Sequence, residues 1–267
     1  MELMHKLIKK FHLRRWLIWV RPDLFTNSTF VHTKYDGTDL KKWILAGIRG
    51  YKQWYQPVDF IIARADVTTP PDWLPKPELN EDYGLGRWEY IIKRNLPEVA
   101  GKRILDVGCN VGLYSIELAK MNAKEVIGID RTLEFNHRSD FPPRQDIVSQ
   151  AIFVKEALEL VNGVKYSVNY RGINFNDYSK IEDLGKFDLV LALNVIYHEY
   201  EKSQLLMNAI SKITDVLILQ TSIGHTGSIA KWANLPKQTE LLIAAGFTSI
   251  QIDCPKDYLN PVIVARK

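Results

Sequence analysis

Cysteine is scarce: Cys109 and Cys254 are the only two in 267 residues, too few for a disulfide framework. Neither sits in a CxxC or CxxH pair that could hold zinc, and this usage fits a reducing, cytoplasmic setting. Long hydrophobic runs are missing from the N-terminal region, where the longest, residues 16–20, falls far short of the roughly 20 residues a membrane span requires. No small-residue cleavage site follows it. A net positive charge is lacking over most of the chain. Residues 1–21 hold six Lys or Arg against the single Glu2, so that segment is +5 and the remainder of the +4 total is −1. A basic surface spread over the body, as expected of a protein that grips phosphate backbones, is therefore not visible. Glu199 and Glu201 lack a paired Asp/Asn cluster, so no divalent metal site is expected. Internal repeats and low-complexity tracts are absent as well.

What is present is the composition of an ordinary soluble globular protein, 46% hydrophobic and 25% charged. The first 21 residues mix Lys6, Lys9, Lys10, Arg14 and Arg15 with Leu3, Leu7, Phe11, Ile18 and Trp19 at helical spacing. This basic amphipathic helix is expected to lie on the body of its own protein, with peripheral contact to anionic lipid as the alternative. Trp43, Tyr51, Trp54 and Tyr55 fall in a helical stretch, and Pro70, Pro71, Pro75 and Pro77 then forbid regular structure. Residues 1–85 accordingly read as a cap and linker, and residues 86–267 as the main domain.

From Trp88 onward, apolar strands alternate with amphipathic helices, the pattern of a parallel sheet covered on both faces. Helices are predicted over 88–96, 114–121, 146–161, 203–213 and 237–245. Strands are predicted over 103–107, 125–130, 165–170, 189–193, 216–221, 248–253 and 261–265. The last two are joined without room for a helix and should run antiparallel to each other. The fold class is α/β, a seven-stranded mostly parallel sheet with one antiparallel strand and an N-terminal helical cap.

The densest chemical information is ILDVGCNVGLYSIELAK, residues 104–120, where a buried strand gives way to a helix. Gly108 and Gly112 can take positive φ and leave no side chain between backbone and ligand, in a turn expected to bring N–H groups close to it. A nicotinamide enzyme would place GxGxxG here. This chain has DxGxNxG, and Asp106 would repel a pyrophosphate but could accept hydrogen bonds from the ammonium of a methionine moiety. Twenty-two residues after Gly108, the strand VIGID ends at Asp130, whose carboxylate can accept from both ribose hydroxyls. In YRGINFN, Ile173 and Asn174 would face the adenine. The acid that often holds the exocyclic amine is missing at Ile173, so the backbone and Asn174 are preferred, with Asp177 as substitute. FDLVLALNVIYHE places Asn194, Tyr197 and His198 beyond a central strand, where the methyl group should point. His198 is the natural general base, with a packing or capping role as the other reading. Tyr197 flanks the methyl group or fills the core.

These residues resemble the class I S-adenosylmethionine-dependent methyltransferase superfamily, whose fold is Rossmann-like. The segments LDVGCNVG, GID and NVIYHE look most like the tRNA wobble-uridine (carboxymethoxyuridine) methyltransferase-like group. The resemblance covers about the last two thirds of the chain. It implies S-adenosyl-L-methionine as cofactor and places Asp130, Thr132, Ile173, Asn174, Leu193 and Tyr197 on cofactor-contacting positions. Asn110 stands in place of a usual glycine, Arg131 in place of proline, and residues 131–145 form an insert. Both Asn110 and Arg131 belong to the expected cofactor site. No counterpart is found of the basic segment that holds a carboxylated cofactor in that group.

Three functions compete. The first is methyl transfer to an oxygen of a small metabolite or glycan, with His198 as base and the cap and insert closing the pocket. In it Arg131, His137, Arg138 and Arg144 bind an acidic acceptor or form a solvated charged loop, and His225 and Trp232 line the pocket or serve as ordinary surface and core residues. The second is tRNA modification, and the third a non-catalytic adenosyl-binding partner protein.

Overall fold

The computed structural model describes residues 33–50, 84–131 and 147–267. The expectations for residues 1–21, for the proline-rich stretch, and for Thr132, His137, Arg138 and Arg144 lie outside the described residues.

Alternation of apolar side chains builds the sheet. Along β1 (Arg103–Val107), Ile104 points to one hydrophobic layer while Leu105 and Val107 point to the other. The same sorting holds in β2 (Glu125–Asp130) and β4 (Leu189–Leu193), and in β5 (Val216–Gln220) and β7 (Val262–Arg266), as the period of two requires. With β3 (Val168–Gly172) and β6 (Ser249–Asp253), the order is β3-β2-β1-β4-β5-β7-β6. The first five strands pair in parallel, and β7 runs antiparallel to both β5 and β6. The seven strands and the single reversed one are as read from the sequence.

One layer holds α3 (Leu113–Lys120) and α4 (Ile147–Asn162), the turn Trp88–Ile92 that continues α2 (Gly84–Arg87), and α1 (Leu40–Gly50) through Ile44. The other holds α5 (Tyr178–Glu182), α6 (Ser203–Ile213) and α8 (Leu235–Ala244). Between β5 and α8 lies the short α7 (Ala230–Ala233). Trp43 of α1 meets Phe153 of α4 with ring centroids 5.2 Å apart, and a Cβ at Gly47 would sit 2.2 Å from that same ring. Among the described residues, no helix is long and apolar enough to cross a membrane.

Several element boundaries differ from the sequence reading, and for two of them the reason is identifiable. The third strand starts at Val168 rather than 165, because Glu159 of α4 accepts from Tyr166 N at 3.0 Å and pairs with Lys165 at 2.8 Å, folding this stretch back onto the helix. Helix α8 starts two residues before the expected 237, because Asn234 caps it, its Oδ1 accepting from Lys237 N at 2.8 Å, with Pro236 in the first turn.

Candidate active site

The chain leaves β1 for the outer strands β2 and β3, then returns to β4 on the other side of β1. The crevice beyond the carboxyl ends of these strands is where open α/β sheets bind ligands. Four segments meet there.

The turn after β1 has three residues with positive φ: Gly108 at 77°, Asn110 at 52° and Gly112 at 81°. Asn is the residue that best tolerates this conformation after glycine, and Asn110 Oδ1 accepts from Val111 N at 2.8 Å. That accounts for Asn110 at a position where the turn requires positive φ. Two features depart from the sequence reading. The N–H groups of Gly108 and Cys109 bond to Ile129 O, that of Asn110 to Asp130 Oδ2, that of Val111 to Asn110 Oδ1 and that of Gly112 to Cys109 O. Spent inside the protein, they are not presented to a ligand. The room a Cβ would need is also already filled, by Val195 at 2.8 Å from Gly108 and by the Tyr170 hydroxyl at 2.1 Å from Gly112. Glycine is required here by protein packing and positive φ. Gly112→Ala is therefore expected to cost roughly 2 kcal/mol or more, read as a lower melting temperature; an unchanged melting temperature would contradict this packing.

Asp106 is buried, and Ser115 Oγ donates to its Oδ2 at 2.6 Å. Burial pushes its carboxyl up to about 6, against the pull of the Ser115 hydrogen bonds and with the help of the nearby Asp130 charge. Asp130, also buried, accepts from Asn110 N at 2.8 Å and from Arg131 N at 2.7 Å, so each carboxylate oxygen is fixed by one backbone donor. Tyr170 of β3, which sequence reasoning missed, donates to Gly112 O at 3.0 Å and supports the turn from below. The signal that could have found it is the pair Gly112 and Gly128, whose missing side chains make room for its ring.

Beyond β3, Ile173 is buried and its N–H bonds to Asp130 O at 2.9 Å, while Asn174 is half-buried. Asp177, the substitute for holding adenine, is instead engaged by Lys180 at 2.6 Å, which holds its carboxyl below the usual range. Beyond β4, Leu193 is half-buried and Asn194 has a φ of 55°. In the amide orientation that satisfies both ends, Asn194 donates to Thr221 O at 3.2 Å and accepts from Arg87 at 3.0 Å.

Next comes the turn Ile196–Lys202, whose His198 N bonds to Val195 O. Tyr197 is buried and lies between two imidazoles. Its ring centroid is 4.5 Å from that of His198, and its hydroxyl is 3.2 Å from Nε2 of His225, which reaches in from the loop after β5. The His198 and His225 rings are 6.4 Å apart, and burial lowers the His225 pKa. Arg131 pairs with Glu199 and lies over the Phe175 ring at 4.9 Å, so its charge is already matched and it is not an open cation for an acidic acceptor. The indole of Trp232 lies near Lys231 and Lys237, at 5.2 and 5.3 Å.

Residues 81–232 match the family described as a methyltransferase domain. A tRNA U34 carboxymethyltransferase of Campylobacter hominis is 29% identical over 126 residues, 45% of this chain and 37% of the relative. The matched part spans less than half the length of such curated relatives. The N-terminal domain of EvdMO1, solved with SAH bound, superposes with a TM-score of 0.56 at 18% identity, over 86% of this chain and 97% of that one. Magnesium protoporphyrin IX methyltransferase from Synechocystis PCC 6803, solved with bound SAM, gives a TM-score of 0.50 at 17% identity, over 88% and 100%. At these identities the likeness is one of fold.

Proposed function

The chain belongs to the methyltransferase-domain family, and from that premise we propose that it transfers a methyl group from S-adenosylmethionine to an oxygen of a small metabolite or glycan. The observation that supports the reading is the gathering of Tyr197, His198 and His225 beyond β4, next to the ends of β1 and β2, where Asp106 and Asp130 lie buried.

S-adenosylmethionine, when bound, supplies a methyl group on a positively charged sulfur, open to in-line attack. The residues fit such a cationic ligand. Two buried carboxylates with mutual repulsion favour a positive partner over a phosphate, and the N–H groups that would hold a pyrophosphate are used within the turn. Asp106 receives the ammonium, directly or through water. Asp130 keeps its remaining lone pairs for the ribose hydroxyls, the Ile173–Asn174 backbone and side chain face the adenine, and Leu193 and Asn194 form the wall nearest the methyl group. Arg131 closes this side. His198 would take the proton of the acceptor hydroxyl, and Tyr197 would flank the methyl group that the cofactor supplies.

Asp106 gives this reading a pH signature. Its carboxyl titrates near 6 in the folded protein, above the ordinary 3.8, so the proton is favoured by folding and the ionised form costs stability as pH rises between these values. Because an ammonium ligand needs the ionised form, cofactor affinity is expected to fall as pH drops below about 6, by at most roughly tenfold per pH unit. Titration calorimetry at pH 5 and pH 7.5 reads this, and equal affinities would remove Asp106 from the ammonium role.

Likeness to the tRNA U34 carboxymethyltransferases favours a second reading, in which the acceptor oxygen belongs to an RNA base. Incubation with methyl-labelled S-adenosylmethionine and separate small-molecule, glycan and tRNA fractions decides between them. Label in the first two supports the proposal. Label in tRNA alone replaces it, and binding without any labelled product leaves an adenosyl-binding protein without turnover.

A further inference from the structure

Arg131 follows Asp130 at the end of β2, and Glu199 follows His198 beyond the end of β4. These strands are not neighbours: β1 lies between them. With adjacent strands about 4.8 Å apart, their ends are separated by roughly 10 Å. The pair therefore joins chain segments that leave the sheet on either side of β1. Arg131 and Glu199 do meet, Nη2 against Oε1, with side-chain exposures of 21% and 10%, well below those of a surface pair. The guanidinium also rests on Phe175, buried in the loop after β3. The Arg131 side chain, one residue past β2, thus touches both the loop that follows β3 and the turn that follows β4. The residue next to Glu199, Tyr200, has a φ of 48° and ψ of −123°, a conformation that bulky residues keep only where their surroundings impose it.

We propose that Arg131 and Glu199 form a clasp across the cofactor cleft, which closes over the nucleoside end of the bound cofactor and sets how fast it leaves. The proposal rests on the S-adenosylmethionine reading given above. A pair fixed across the opening would bar the ligand, but both side chains are long and end at the rim, so the clasp opens by side-chain rotation without moving the sheet. Closed, it holds the adenosyl group between the crosspiece and the floor built by the glycine turn. Arg131 and Glu199 are positioning residues and take no part in bond making.

The test uses S-adenosylhomocysteine, which binds without turnover, and follows its release by stopped-flow chase from wild type, R131A, E199Q and the double variant. Each single change is expected to raise the dissociation rate about tenfold with little change in association rate. The double variant should be no worse than either single one, because both remove the same contact. R131E/E199R should recover most of the loss. Additive effects, or an unchanged release rate in folded E199Q, would overturn the clasp. A mere structural staple would lower the melting temperature of the ligand-free protein and leave release untouched. If wild type takes up no S-adenosylhomocysteine, the clasp falls together with the cofactor reading; wild-type uptake with normal release from E199Q defeats the clasp alone.

Discussion

Replacing His198 by alanine is expected to lower turnover by about 10²–10⁴ while leaving cofactor binding intact, the ordinary contribution of a general base. The expectation comes from place and surroundings. His198 is half-buried in the turn that follows β4, its backbone fixed by Val195 O and its ring set against Tyr197. A second imidazole, His225, holds the Tyr197 hydroxyl from the other side, and burial keeps it neutral to lower pH than an exposed histidine. His225→Ala is therefore the informative companion. If His198 is the base, its removal abolishes most of the rate, whereas loss of His225 disturbs only the seat of Tyr197. A fully active H198A protein dismisses the base assignment, and a larger defect in H225A moves it to the other ring.

Asp130→Ala should weaken binding of S-adenosylhomocysteine by roughly 10- to 150-fold, the equivalent of a lost charged hydrogen bond of 1.5–3 kcal/mol. This carboxylate acts twice. Its oxygens anchor the N–H groups of Asn110 and Arg131, and they are the acceptors placed for the ribose. Asp130→Asn separates the two roles, since the amide keeps the size and one acceptor oxygen but loses the charge. A melting temperature close to wild type combined with weak binding in the Asn variant assigns the effect to the ligand. Unchanged affinity in both variants removes Asp130 from the ribose role.

The fold was largely legible in the chain because its signals are redundant. The strands β1, β2, β4, β5 and β7 are apolar runs, and no helix fits between the last two strands, which makes them an antiparallel pair. What was not legible depends on contacts between distant residues. The pull of Glu159 on Lys165 and Tyr166, which delays β3, leaves no trace in local periodicity. By contrast, the Asn234 cap with Pro236 was a readable signal for the start of α8. Short turns such as Ile196–Lys202 have no period to detect.

In the site, Asp106, Asp130, Tyr197 and His198 could be singled out because strand ends in a doubly wound sheet converge on one crevice. Their partners could not. Nothing in the sequence links Tyr197 with His225 or Arg131 with Glu199, which are 28 and 68 residues apart. The reason for the glycines also had to come from the structure. They make room for Val195 and Tyr170 and bend the turn, and the N–H groups expected to greet a ligand are spent on Ile129, Asp130 and the turn itself.

Titration calorimetry of the wild-type protein, comparing S-adenosylhomocysteine with a nicotinamide dinucleotide, tests the central claim most directly. Saturable binding of the thioether nucleoside at one site per chain, with no heat from the dinucleotide, is the predicted result. Silence toward the nucleoside at saturating concentration, or uptake of the dinucleotide in its place, would contradict it.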